Sequence, residues 1–375
     1  MRHICYVTGT RADFGLMRST LDKIEQVSQL QLSVAITGMH LDSKFGNTKQ
    51  EVISSGFNTY IVGNSEDDGS RLSMANAVGE QVRGFSQLFA SLQPSIILLL
   101  GDRGEMLAAA IAALYLNIPV AHIHGGELSG TVDESIRHAI SKLSHFHFVA
   151  TEKSRDRLVR MGELASNVMV TGAPGLDDIL NMELPGKSEL FDFLTIKNSS
   201  RLLAVVFHPV VQDAELAGIQ MEQVLAALPT NEQVVILMPN ADAGGQLIRD
   251  KINEYSSSMD NVKVVTHLPR NLYLSLLAHC DVLIGNSSSG IIEAASFSTW
   301  VINIGERQAN RDRNANTIDL NVDSKEINDA INQLLFKPEP ISRNIYGDGK
   351  AGKRIAQLLW EINIDDNTTR KCNTY

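Results

Sequence analysis

Short, unbroken apolar runs alternate along this chain with longer stretches whose apolar residues recur every three or four positions. The runs His3–Thr8, Gln31–Thr37, Ser95–Leu100, Val120–His124, Phe146–Ala150 and Asn167–Thr171 read as strands. Between them Leu16–Gln29, Val78–Leu92 and Arg103–Leu116 carry helical spacing. Strands without polar alternation, joined through helices, predict a parallel sheet covered on both faces. The pattern then restarts, with Arg201–Phe207, Val234–Met238, Val262–Thr266, Val282–Ile284 and Trp300–Ile304 as a second strand set. The polar, aperiodic stretch Met182–Ser200 is the expected hinge. The organisation predicted is α/β: a Rossmann-like domain over residues 1–180 and a second over 181–364, whose last helix can pack back on the first. A polar, frayed tail is expected over 365–375.

Composition fits this picture and removes alternatives. A chain of 375 residues is comfortable for two domains that each bury a core. At 43% hydrophobic and 20% charged it is neither disordered nor a low-complexity repeat. Its formal net charge of -10 argues against nucleic-acid binding, which needs a basic face to neutralise phosphates. A few local arginines and helix starts still suffice for a small anionic ligand. Cys5, Cys280 and Cys372 lie far apart without metal-ligand spacing, and the first two read as buried thiols. The opening MRHICYVTGTRADFG has too short an apolar stretch for a signal peptide, and no run reaches a membrane span. A soluble, cytoplasmic protein is the expectation.

In open α/β sheets ligands bind outside the carboxyl ends of the strands, and the unusual polar residues fall there. In GNSSSGIIEAASF (285–297), Ser287 and Ser288 can hold a phosphate or merely cap a helix, and Glu293 can reach a ribose hydroxyl or be an exposed helix residue. TGTRADFG (8–15) is a glycine turn but not a dinucleotide fingerprint; Arg11 can meet a phosphate or salt-bridge Asp13. Asn240 and Asp242 of MPNADAG, and Arg307 of GERQ, are strand-end polar residues without a decided role. Asp102, directly after the apolar strand SIILLLG, can carry a proton if desolvated, or pair with Arg103. His208 can donate to a phosphate or satisfy a carbonyl. The densest cluster is HIHGGELSGTVDESIRHAISK (122–142). His122 and His124 alternate along a strand towards one face, yet nothing has HExxH-type spacing, so no metal site is expected. Asp133 to Ser135 can cap the following helix, one turn before Arg137 and His138.

Together GTRADFG, GMHLDSKFGNT, LGDRGE, HIHGGELSGTVDESIRHAISKL, FHPV, PNADAG, GNSSSGIIEA, INIGERQANR and IYGDGK resemble, in this order, the hydrolysing UDP-N-acetylglucosamine 2-epimerases of sialic-acid biosynthesis. The resemblance runs from about Met1 to Ile364. It implies a GT-B fold of two Rossmann-like domains with a cleft between them, and release of UDP with inversion at C2 through a glycal intermediate. It implies that Asp102, Glu127 and Asp133 are the catalytic carboxylates, with His40, His122 and Arg137 in support. Arg11, His208, Asn240, Asp242, His267, Ser287, Ser288, Glu293 and Arg307 match the motifs that contact UDP; Asp13 and Arg103, in two of the same turns, are counted with them. The animal enzyme has Glu where this chain has His124, so no role for that Glu transfers. Non-hydrolysing relatives carry an HVEAG-type segment instead of GGELSGTVDES. The nominal substrate is UDP-N-acetylglucosamine, with UDP-N,N'-diacetylbacillosamine as the alternative, and nonulosonic-acid or surface-polysaccharide synthesis as the destination. No cofactor is signalled; a homodimer or homotetramer is implied by the resemblance alone.

Overall fold

The computed structural model describes residues 1–43, 46, 48–63, 70–128, 132–197, 201–240, 242–340, 343–365, 367–372 and 374. Asn198–Ser200 of the expected hinge, Ser129–Thr131 of the dense cluster and Ala241 of PNADAG lie outside the described residues. Two compact units emerge: Met1–Glu127, Asp133–Leu180 and Tyr346–Tyr375 form the first, Leu128–Val132 and Asn181–Ile345 the second.

The first unit runs β1 (Arg2–Thr8), α1 (Arg11–Glu25), β2 (Leu30–Ile36), α2 (Thr48–Ile53), β3 (Asn58–Ile61), α3 (Arg71–Leu92) and β4 (Ile96–Leu100). It continues through α4 (Gly104–Tyr115), β5 (Val120–Ile123), α5 (Val132–Leu143), β6 (Phe146–Val149), α6 (Glu152–Arg160), β7 (Val168–Val170) and α7 (Asp177–Asn181). All seven strands are parallel, in the order β3-β2-β1-β4-β5-β6-β7. β4 (IILLL) is buried at every position because helices cover both sheet faces. One face packs Ile4, Tyr6, Leu98 and Ile123 with Met17 and Leu21; the other packs Cys5, Val7, Ile97 and Leu99 with Phe85 and Met106.

The second unit starts at α8 (Lys187–Leu194) and runs β8 (Leu202–Val206), α9 (Ala217–Ala226), β9 (Gln233–Leu237), α10 (Gly245–Ser256), β10 (Val262–Val265) and α11 (Arg270–His279). β11 (Val282–Gly285), α12 (Ser288–Ile292), β12 (Trp300–Ile304), β13 (Thr317–Leu320) and α13 (Ser324–Leu334) complete it. Its six parallel strands are ordered β10-β9-β8-β11-β12-β13. The chain then returns to the first unit as α14 (Ala351–Glu361), where Ile355 and Leu359 join the core of Met17 and Leu21 beneath α1. Asp177 accepts from the Ala351 and Gly352 amides at 2.8 and 2.6 Å and so anchors the start of α14.

Each sheet reverses its strand order once, between β1 and β4 in the first unit and between β8 and β11 in the second. Such switch points open a crevice at the strand ends, because the flanking connections leave towards opposite faces. Among the described residues no helix is long and apolar enough to cross a membrane. The thiols of Cys5 and Cys280 are buried, and burial pushes Cys5 up to about 12.

Lys371 and Thr374, in the tail expected to fray, are hydrogen-bonded to the first unit. Lys371 Nζ lies 2.6 Å from Glu163 Oε2 and donates to the carbonyls of Ser141, Lys142 and Ser144. The Thr374 amide donates to the Gly162 carbonyl at 3.0 Å.

Candidate active site

At the first switch point, β1 hands over to α1 through Gly9-Thr10, and Asp13 organises that turn. Thr10 caps α1, and Asp13 three residues on returns the bond, a capping box that starts the helix at Arg11. Asp13 accepts from the Gly9 and Thr10 amides at 3.0 and 2.7 Å, from the Thr10 hydroxyl, from the Thr8 hydroxyl and from Tyr6. With these five donors its carboxylate is engaged by the turn itself. Arg11 pairs with Glu51 (2.5 Å) and not with Asp13.

His40 follows β2 and is buried beside Phe14. Thr8 gives its hydroxyl proton to Asp13, so the His40 Nε2–H donates to the Thr8 oxygen at 3.0 Å; Nδ1 accepts from Thr48 at 3.0 Å. Burial lowers the His40 pKa against the raising influence of Asp13, Glu51 and Glu105. Glu105, at the start of α4, lies under both glycine turns: a Cβ on Gly38, whose φ is +58°, would strike its carboxylate and the Gly9 carbonyl. Arg103 reaches this buried carboxylate at 3.3 Å.

The carboxyl ends of β4 and β5, with α5, bring Asp102, Glu127 and Arg137 together. Arg137, 1% exposed, donates to Asp102 Oδ2 through one nitrogen and to the Glu127 carbonyl at 3.0 Å through another. Asp102 is 24% exposed and Glu127 only 3%. His124 leaves β5 with φ +63°, a left-handed conformation few non-glycine residues adopt, and its Nδ1–H donates to Glu127 Oε1 at 2.6 Å. His122 is fully buried: Nε2–H donates to the Gly101 carbonyl at 2.7 Å and Nδ1 accepts from Ser141 at 3.1 Å. The two histidines therefore serve different partners and do not form the one-faced pair their spacing predicts. Burial pushes His122 down to about 3, so the ring is neutral and steadies the Gly101-Asp102 turn. Asp133 is half-buried in the first turn of α5, where a carboxylate suits the helix dipole. Among the described residues no group of three His, Cys, Asp or Glu side chains is arranged for a metal ion.

At the second switch point Asn286 is the hub. Its side chain accepts from the His208 amide at 2.7 Å and donates to the His208 carbonyl at 2.8 Å, tying β8 to β11. Its carbonyl accepts from Arg307 at 3.0 Å and Gln308 at 3.2 Å. Gly285 precedes it with φ +138°, where a Cβ would strike the Val206 carbonyl, so only glycine allows this approach. Ser287 caps α12 and bonds Ser289 (Oγ–Oγ 3.0 Å), and Tyr273 bonds the Ser289 hydroxyl. α12 has only five residues, so its dipole is short, and the half-buried hydroxyls and amides of Ser287–Ser289 are what it offers an anion.

His208 Nδ1 accepts from the Asn240 amide at 3.2 Å, and Asn240 donates to Asp242 at 2.6 Å. Glu293, 2% exposed, is held by Arg270 in a two-pronged pair at 2.9 and 3.1 Å, which its exposed-helix reading did not anticipate. His267 lies exposed beyond β10. Sequence reasoning missed His124 as a partner of Glu127, and also Glu105, Ser141, Arg270 and Asn286. The first four lie in helices or beyond a strand end, where only a tertiary partner marks them out; Asn286 stood in view inside GNSSSG.

With this geometry established, comparison with known proteins is direct. The UDP-N-acetylglucosamine 2-epimerase family profile matches residues 22–360. The UDP-N,N'-diacetylbacillosamine 2-epimerase (hydrolyzing) of Legionella pneumophila is 48% identical over 377 positions covering 100% of both chains. A UDP-N-acetylglucosamine 2-epimerase of Neisseria meningitidis is 36% identical over 89% of this chain and 87% of its own. A crystal structure of the UDP-GlcNAc 2-epimerase from Neisseria meningitidis bound to UDP-GlcNAc superposes with a TM-score of 0.80 over 96% of this chain and 100% of that one, at 20% identity, and so shares the fold. With its profile across most of the sequence and relatives matched along nearly their whole length, this chain belongs to the UDP-N-acetylglucosamine 2-epimerase family.

Proposed function

We propose that the chain is a hydrolysing UDP-sugar 2-epimerase acting on UDP-N,N'-diacetylbacillosamine, releasing UDP and free 2,4-diacetamido-2,4,6-trideoxymannose. One observation carries the choice of sugar: the relative named for that substrate is 48% identical over its full length, against 36% for the one named for UDP-N-acetylglucosamine. This reverses the order expected from the sequence motifs, which put UDP-N-acetylglucosamine first. Feeding a nonulosonic-acid or surface-polysaccharide route remains part of the proposal.

The chemistry needs a base at C2 and stabilisation of the leaving diphosphate. In the first step a carboxylate takes the C2 proton, the C–H electrons form a C1=C2 double bond, and the C1–O bond breaks as UDP departs. Water then adds across the glycal, its oxygen to C1 and a proton to C2 from the opposite face. Asp102 and Asp133, both half-buried, are the carboxylates open to such a substrate. Glu127 is nearly sealed and acts through His124, whose Nδ1 it holds. Arg137 fixes Asp102, and His122 fixes the turn that carries it. The nucleotide falls to Ser287, Ser288, His208, Asn240, Asp242, Arg307 and Glu293, with Arg11, Arg103 and His267 as further contacts.

The test is a comparison of kcat/KM on the two UDP-sugars with purified protein. A buried polar partner for a 4-acetamido group discriminates by about 100-fold or more, because the analogue leaves it unsatisfied. A preference of that size for the diacetamido sugar is expected. Equal rates, or a preference for UDP-N-acetylglucosamine, would return the assignment to the simpler sugar.

A further inference from the structure

The segment after α14 does more than cover the surface. Lys371 inserts its ammonium among the last carbonyls of α5, donating to Ser141 at 2.9 Å, Lys142 at 3.0 Å and Ser144 at 2.6 Å. A cation there satisfies acceptors that the helix itself leaves open and complements the helix dipole. Glu163, 2% exposed, neutralises that ammonium at 2.6 Å and is shared with Lys142 at 2.8 Å and His147 at 3.0 Å. Burial alone would raise the Glu163 carboxyl, but hydrogen bonds from His147, Lys142 and Lys371 outweigh it and hold it at about 2. The Thr374 amide, bonded to the Gly162 carbonyl, pins the far side of the strap.

α5 is the helix whose placement matters to the chemistry proposed above, and this inference rests on that reading. Its twelve residues are too few to be stable alone, so its position is set by tertiary contacts. From it Arg137 grips Asp102, and Ser141 holds His122, which in turn holds the Gly101 carbonyl next to Asp102. Lys371 bonds the backbone of Ser141 itself.

We infer that Lys371 is a positioning residue for the proton-transfer step, clamping the end of α5 so that Arg137 and Ser141 hold Asp102 in register. Loss of the clamp lets the last turn of α5 fray, and small misplacements of a catalytic group are expensive in rate. It does not touch the residues proposed to hold UDP, all of which lie elsewhere in the chain.

The experiment compares the full chain with Lys371→Met and with Glu163→Gln/Lys371→Met, the second removing both charges of the pair together. Two readouts are taken: kcat and KM on the UDP-sugar, and hydrogen exchange of the α5 amides. Expected in each folded variant are a kcat about 10-fold lower, a KM within 2-fold of the parent, and α5 amides that exchange at least 10-fold faster. A folded variant with the parent's kcat overturns the inference, as does a loss expressed in KM. If neither variant folds, Lys371 is a folding element and the positioning role is rejected. If the parent chain itself releases no UDP from either sugar, the functional reading fails; the α5 exchange rates then decide the clamp alone, unchanged rates rejecting it.

Discussion

The two sheets place their switch points alike but furnish them differently. In the first unit the strand ends carry ionisable groups locked to one another: Asp102 with Arg137, Glu127 with His124, Glu105 with Arg103. In the second the hub is an amide: Asn286 gathers the His208 backbone and Arg307, Ser287–Ser289 lie half-buried at the start of α12, and the ion pair there, Glu293 with Arg270, follows that helix. On the function proposed above, the same α/β frame would serve proton transfer where carboxylates are held by fixed partners, and anion binding where hydroxyls and backbone amides gather beside an asparagine hub. The difference lies in side chains grafted on equivalent turns, not in the turns themselves.

The contrast breaks most sharply at Asp102. Asp102→Asn keeps the shape and removes one of the two carboxylates proposed to move the proton, so kcat should fall about 1,000-fold while UDP affinity stays within 2-fold. A variant that loses UDP binding equally would place Asp102 on the nucleotide. The mirror experiment is Ser287→Ala/Ser288→Ala, which should weaken UDP by about 30-fold through lost hydrogen bonds to a charged group, with kcat at saturation nearly unchanged. Isothermal titration with UDP separates the two outcomes.

Acid sharpens the comparison next. His122 titrates at about 3 in the folded chain and near 6.5 when unfolded, so the unfolded state binds more protons in between. Its contribution is intact above the unfolded value and is lost as pH falls towards 3. At pH 5 His122 alone should remove about 2 kcal/mol, read as a lower urea midpoint than at pH 7.5. His145, pushed down to about 4, and His147 and His40, also lowered chiefly by burial, add in the same direction. All four belong to the first unit, and His122→Asn should flatten the slope. The smallest effect belongs to Thr10→Ala, about 1 kcal/mol of stability from the lost cap of α1, with UDP affinity unchanged. An affinity loss would place this turn on the substrate.

How much of this was legible depended on whether a signal was local. β4 and β11 announce themselves as apolar runs because both faces of each sheet are covered, whereas the half-exposed edge strands β3 and β13 carry no such run and were missed. α1 and α3 begin five and seven residues earlier than their apolar periodicity suggests, because Thr10 and Ser70 cap them before the buried stripe starts. Asp102 and Glu127 stood out as polar residues beside strand ends, and Arg137 as part of the dense polar cluster that follows. That Arg137 grips Asp102 across 35 positions could not be read, since pairing between distant residues leaves no pattern in spacing. The tail failed for a related reason: a polar segment has the same composition whether it is frayed or hydrogen-bonded like Lys371.

On the proposed function, the first unit's carboxylates remove and restore the C2 proton while UDP is lost. Turnover of the UDP-sugar in deuterated water, followed by mass spectrometry, tests it directly. Free UDP and a manno-configured sugar bearing one deuterium at C2 are expected. Intact UDP-sugar that gains deuterium without releasing UDP would contradict hydrolysis, and a released sugar without deuterium would contradict the C2 proton transfer itself.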